Sequence, residues 1–518
     1  MGETKGTNSG RLISLDVFRG FVICVMLVVN NLGDYATSGY FWKHADWITG
    51  TQAEAFAAWW ASVDLAHWYR LFTEFPIWRH CTAADYVMPW FMLCIGIAMP
   101  FSVAAARAKG VSNAEMWSKT IKRALMLVIL GWILCYFRDQ FAKWLYAPEG
   151  TRWTINLGMD VLQLLGVAYL WTRLLFVLPW KWRMGASLLL FAIHWSILRL
   201  AYQGPDVPIG TFTAKHNAIG YINSTWTIFR GFDPLWWSPW AGRVTMGFAS
   251  TMSSIPAAAT MLLGSIAGEW LMRRRTDSAW SMGKLAVLGA LLAGAGFLIG
   301  FDITFNKPRW SPSYLLWTTG VGFMISALIY WWLDERRVGE THGKSPIWTH
   351  FFVVMGANSI GAYFVTILAK VLLMNTPRVD LGSAAAIYSG RVLWLATMAV
   401  TAGLLIWRVK CLWKVPGYRI VGATLVGVST AVVMLYGLCV VLWPVAPAAA
   451  GEWVSFTEFV GRLLKQAAGH GLGLCQVEMA TARWWGNWFG GWVFTAWFFS
   501  ASWLMLDWAY RRKIFWKV

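Results

Sequence analysis

Five side chains in this sequence combine a polar or reactive group with an apolar setting, and together they suggest an acid–base or acyl-transfer site. His44 stands among aromatics in YFWKHADWITG, residues 40–50. An imidazole titrates near neutrality, so it can take a proton from an amine or hydroxyl nucleophile. It can also attack a thioester and carry an acyl group. The bland alternative is an interfacial loop histidine. Asn30 lies in VVNN (28–31), where an amide near the end of an apolar run needs a partner, either a packing hydrogen bond or a ligand. Asp85 lies in CTAADYVMPWF (81–91). It can orient a histidine, bind a substrate amine, or close a capping box with Thr82. Gln163 and Asn358 sit in later apolar runs, where interhelical hydrogen bonds are the ordinary role. Asp16 and Arg19 share a helix face at i,i+3 and read as a local ion pair. Glu269 has Arg273 close by in sequence. These groups form one patch only if their helices converge, and sequence alone does not show that.

The elements that must position them are membrane helices. Of the 518 residues, 58% are hydrophobic and 13% charged, against about 45–50% and 25% in soluble domains. That balance excludes an ordinary soluble domain and a disordered chain. Twelve segments approach the ~20 apolar residues of a spanning helix, near 13–30, 84–106, 119–138, 159–178, 184–202, 248–272, 284–301, 314–333, 351–373, 385–407, 418–443 and 486–509. The first lacks a cleavage-like site and is expected to stay as a span. The expected fold is all-α and polytopic, one domain over 1–518, with longer loops near 31–83, 203–247 and 444–485.

Net charge is +19. Its basic residues crowd the short connections on one side, as in Arg107, Lys109, Lys119, Lys122 and Arg123, or Arg273–Arg275 and Lys284. Cationic loops stay in the cytoplasm, so both termini are expected inside and the long loops outside. The charge is then a topology signal and not a nucleic-acid footprint. Trp42, Trp47, Trp78, Trp180, Trp182, Trp310, Trp407 and Trp516 fall near span ends, as interfacial belts do. The seven cysteines show no CxxC or Cys/His spacing, and no metal is expected. There is no P-loop or GxGxxG, and GAGFLIG (294–300) suits helix packing. A transporter also fits twelve spans, but no internal repeat or pair of broken helices stands out; a non-catalytic membrane subunit, with Trp-rich loops docking a partner, is the other alternative.

Several of these stretches, in this order, resemble the heparan-α-glucosaminide N-acetyltransferase family and its bacterial relatives. They are RLISLDVFRG (11–20), VVNN, WKHADW (42–47), TAADYVMPWF (82–91), DVLQLLGVAYL (160–170), WSPSYLLWTTG (310–320), GANSI (356–360) and YRRKIFWKV (510–518). The resemblance implies a transmembrane acyltransferase. Acetyl-CoA would serve as donor from the cytoplasmic side, and the acceptor would be an amine or hydroxyl of a saccharide on the other side. It implies His44 as the essential histidine, with Asn30 and Asp85 at the family's matching positions as catalytic residues. Gln163 and Asn358, polar groups in apolar runs, are the donor-binding candidates read from the residues themselves. The lipid bilayer and, as a homodimer, a second copy are the further partners. The expected location is a bacterial inner membrane.

Departures qualify the match. About thirty residues (51–80) intervene between the histidine motif and the second span, and they carry a second candidate, His80. Leu164 stands where the family has arginine. DPLW (233–236) replaces an Asp-Pro-Glu-Gly, and spans around 385–443 exceed the family count. These departures leave the acceptor sugar open, and heparan itself is not the expectation for a short-tailed chain without a lumenal N-terminal domain.

Overall fold

The computed structural model describes residues 12–32, 81–137, 159–273, 280–335, 347–369, 384–412 and 479–515, apart from 214–215, 226–235, 239–242 and 246–249, with the short stretches 38, 40–42, 57–58, 61, 378–380 and 453–455. The chain is helical, as its composition required. In order the helices are α1 (Ile13–Asn30), α2 (Ala83–Ala108), α3 (Asn113–Tyr136), α4 (Val161–Leu175), α5 (Trp180–Leu200), α6 (Ala218–Thr225), α7 (Ser254–Arg273), α8 (Trp280–Ile299), α9 (Pro312–Tyr330), α10 (Ile347–Ala357), α11 (Ser359–Ala369), α12 (Ala384–Leu412) and α13 (Met479–Arg511). Two three-residue antiparallel pairs, Trp236–Ser238 with Arg243–Thr245 and Arg378–Asp380 with Trp453–Ser455, are the strands among the described residues.

Among the described residues, six helices are long and apolar enough to cross a membrane, or seven if the bent pair α10–α11 is one span. The other expected spans are helical but fit less well. α4 is only 15 residues long. α3 carries Lys119, Lys122 and Arg123 in its first half, and α5 carries Lys181, Arg183 and Arg199. The segment 418–443 lies outside the described residues.

The exposed faces identify the solvent. On α3, Ile121, Leu125 and Ile129 recur every four residues and are exposed, while Leu127 and Leu134 on the other face are buried. Val287, Leu291 and Leu298 make a similar outward stripe on α8. Water would penalise such stripes, whereas hydrocarbon does not. Hydroxyls inside the bundle bond back to their own helices, as with Thr120 to the Met116 carbonyl, Thr172 to Ala168 and Ser187 to Arg183. That satisfies them without water. The protein is built as an integral membrane protein.

α2 is the hub, buried along nearly all of its length from Ala83 to Pro100. It runs parallel to α7, and the two touch through glycines. A Cβ at Gly96 would lie 2.2 Å from the Met261 carbonyl, and one at Gly264 2.7 Å from that of Leu93. Where apolar burial drives nothing, close backbone approach supplies the packing. Gly96→Ala is expected to cost about 1–3 kcal/mol through overpacking. Gly403→Ala on α12, which faces open space, should not destabilise. Thermal unfolding followed by tryptophan fluorescence compares them.

Two expectations are corrected. The run 351–373 is not one straight span: α10 and α11 meet at 73° at Asn358. Gly20 abuts Phe352 while Gly356 abuts Asp16, so α10 descends antiparallel to α1. Trp310 is no belt residue. It is 2% exposed and held at φ 53, in the left-handed region. Trp182 and Trp407 are exposed as belts require.

Candidate functional site

The N-terminus of α2 carries a tight polar cluster. Thr82 caps the helix, and Asp85 closes the box by accepting from the Thr82 backbone N–H and hydroxyl, both at 3.1 Å. The carboxylate's other oxygen lies 3.5 Å from the Lys307 ammonium, which also donates to the Ala84 carbonyl at 3.0 Å. The Tyr314 hydroxyl donates to the Asp85 carbonyl, and Trp317 donates to the Tyr86 hydroxyl at 2.6 Å. Asp85 is 1% exposed. Burial pushes the Lys307 ammonium down from the usual lysine range, and the Asp85 carboxylate pulls it partly back. Burial pushes the Cys81 thiol up, with Asp85 adding to it, so this thiol is not a poised nucleophile.

The loop that brings Lys307 here is fixed from within. Ser311 donates to the Thr304 carbonyl and accepts from the Asn306 N–H. Ser313 donates to the Ile303 carbonyl, and the Asn306 side chain accepts from the Arg309 N–H. His194 bonds the Arg309 carbonyl at 3.0 Å. Lys307 had no sequence signal beyond being one cation in a short loop, because its partner is far away in the chain.

The other predicted residues are placed as follows. Asn30 is exposed as the last residue of α1, while Asn31 is buried. Asn31 donates to the Leu27 carbonyl at 2.8 Å, and its own carbonyl accepts from Thr495 on α13. His44 and His80 lie outside the described residues. The turn Tyr40–Trp42, two residues before His44, packs on α2, and Trp42 meets Trp492 edge-on at 5.7 Å. Gln163 is fully buried and donates to Cys135 Sγ at 3.6 Å, where α4 crosses Gly131 of α3. Asn358 donates to the Ile514 carbonyl at 2.7 Å, tying the helix break to the C-terminal tail. Glu269 pairs with Arg183 from α5, not a partner that sequence proximity suggested. Among the described residues no cluster of His, Cys, Asp or Glu could hold a metal.

A cavity of about 220 Å³ opens farther along α2. Its walls include Arg19, Cys94, Ser102, Arg123, Tyr169 and Ser359. Arg19 pairs with Asp16 at 3.8 Å, as expected, and also donates to the Gly356 carbonyl at 3.3 Å. Arg123 stacks over the Tyr169 ring at 5.0 Å, and its buried Nε has no hydrogen-bond partner among the described residues. The first two residues of α11 also line the cavity, and a helix N-terminus favours an anion. From sequence, Arg19 reads as the ion-pair partner of Asp16, and Arg123 as one of the cytoplasmic cations near 107–123 that set topology and could meet the donor's phosphates; that the two share one cavity is not legible there. Asn358 adjoins Ser359 at the cavity wall, whereas Gln163 lies six residues before Tyr169, about 9 Å along α4.

Comparison with curated proteins finds distant relatives. The mouse (Mus musculus) heparan-alpha-glucosaminide N-acetyltransferase is 23% identical over 413 residues, which cover 70% of this chain and 54% of the relative. This chain is a distant relative of the heparan-α-glucosaminide N-acetyltransferases. The human (Homo sapiens) protein is 25% identical over 405 residues, covering 68% of this chain and 52% of the relative. The chain spans about half the length of these curated relatives. No family model matches it.

Proposed function

We propose that the protein is a membrane acetyltransferase that moves an acetyl group from acetyl-CoA to an amine or hydroxyl of a saccharide on the far side of the bilayer. The observation that carries this reading is the cavity beside α2, where two guanidinium groups and the start of α11 converge within a bundle distantly related to acetyltransferases. Phosphates suit guanidinium forks. The polar cluster at Asp85 lies about 14 Å from Cys94 along the same helix. A long donor entering at Arg19 and Arg123 would therefore extend its acyl end along α2 toward the cluster. With the charge-based orientation, the cavity opens in the cytoplasmic half and the cluster faces outward.

In this reading His44 removes the proton from the acceptor, or carries the acetyl group in passing. Asn30 and Asp85 shape the acceptor side. Ser359 stands at the donor cavity, with Asn358 next to it in the chain and bonded to the C-terminal tail, and Gln163 supports the α3–α4 wall. The setting would be an envelope membrane, and a saccharide other than heparan would be the acceptor.

The test is purified full-length protein in detergent, given acetyl-CoA labelled in the acetyl group together with glucosamine. Label on the sugar is the expected outcome. Absence of donor binding at any concentration would remove the reading. The break at Asn358 favours one alternative, a secondary transporter, since broken helices build substrate sites near the midplane. Uptake of unmodified sugar into proteoliposomes without acetyl-CoA would select it.

A further inference from the structure

Asp85 needs no cation to cap α2, because Thr82 already supplies two donors to one of its oxygens. Yet a buried lysine is brought to the other oxygen from a loop far along the chain. An ammonium is costly to bury. This one is carried by a loop held by at least four internal hydrogen bonds and by Trp310 in a left-handed conformation. Strain of that kind persists only where the surroundings over-determine it. Lys307 also reaches the Ala84 carbonyl, so it ties both the side chain and the backbone of the first turn of α2 to the start of α9. The chain segment just before His44 packs on this same helix.

We propose that Lys307 is a positioning residue for acyl transfer: through Asp85 and Ala84 it fixes the outer end of α2 against the segment that presents the acceptor-side groups. This rests on the acyltransferase reading above. The role is one of placement and charge together. Lys307 holds Asp85 in one rotamer, and it supplies the positive member of a buried pair that a neutral side chain cannot replace.

The experiment uses the full chain in detergent with labelled acetyl-CoA and glucosamine, and compares wild type, Lys307→Met, Lys307→Arg and the amide pair Lys307→Gln/Asp85→Asn. Each variant is scored for folded fraction by thermal unfolding and for kcat and donor KM. The expected result is a kcat lowered at least about tenfold in Lys307→Met, per folded molecule, because misplacement at a reacting centre costs rates of this order. Donor KM should stay within about twofold, since the donor cavity is distant. Lys307→Arg should recover most of the rate. The amide pair keeps a hydrogen bond without charge, so it should fold and still be slow.

Wild-type kcat in Lys307→Met or in the amide pair would overturn the proposal. So would a loss that merely follows folded fraction and that arginine does not recover. If the wild-type chain itself transfers no acetyl group, the acyltransferase reading falls and the positioning role falls with it. Stability coupling between positions 85 and 307, from Lys307→Gln and Asp85→Asn each alone and together, would then show that the ion pair was read correctly and the reaction was not.

Discussion

Replacing His44 with alanine is expected to lower acetyl transfer by about 10²–10⁴-fold, the span that a positioned general base contributes, while thermal unfolding stays at the wild-type value. An amine that becomes an amide, or a hydroxyl that becomes an ester, must shed a proton. Asp85 was one sequence candidate for the acceptor side, but its carboxylate is already engaged by Thr82 and Lys307. Cys81 is held as a buried thiol. Of the sequence candidates that remain, the His44 imidazole is the one proposed for the task, with His80 as its rival.

Steady-state assays at saturating donor, with His80→Ala as the parallel variant, decide between the two histidines. Full activity in His44→Ala with loss in His80→Ala would move the role to His80. A single-turnover quench separates base from carrier: acid-labile label on protein that His44→Ala abolishes marks an acetyl-imidazole.

The sequence made the helices legible and left their partners obscure, for one physical reason. Apolar runs report local solvent, and nearly every expected span is a helix where it was expected. Pairing between distant elements leaves no such trace. Nothing near Glu269 in the sequence points to Arg183, which the bundle brings to it from another helix. Asp85 showed its local capping box and hid its lysine. Asp334 at the end of the α9 segment accepts from the Ser14 N–H and so closes the start of α1, a contact that no periodicity encodes. The bend at Asn358 was equally hidden, because GANSI differs from its apolar surroundings by only two polar residues. Trp310 shows the converse failure. Tryptophan near a span end is usually interfacial, and here loop geometry folded it inward.

Removing charge from the donor cavity should produce the second large effect, and one of a different kind. Each charge-assisted hydrogen bond is worth about 1.5–3 kcal/mol, so Arg123→Gln is expected to raise the KM for acetyl-CoA about 10- to 100-fold with kcat nearly unchanged. Arg123 is the cleaner probe. Its Nε has no hydrogen-bond partner among the described residues and its ring contact is with Tyr169, so the substitution removes little that holds the fold. Arg19→Gln should raise KM similarly but also destabilise, because Arg19 caps the Gly356 carbonyl at the end of α10. Lysine at either position should recover only part of the affinity, being a point charge where a planar fork was present. Arg173→Gln is the control: that guanidinium stacks over Trp117 and is not among the residues of the cavity wall, and it should leave donor KM unchanged. Donor analogues that lack one phosphate then locate the contact. An analogue whose affinity no longer responds to Arg123→Gln lacks the phosphate that Arg123 binds, and equal sensitivity across all analogues would take the guanidinium off the phosphates altogether.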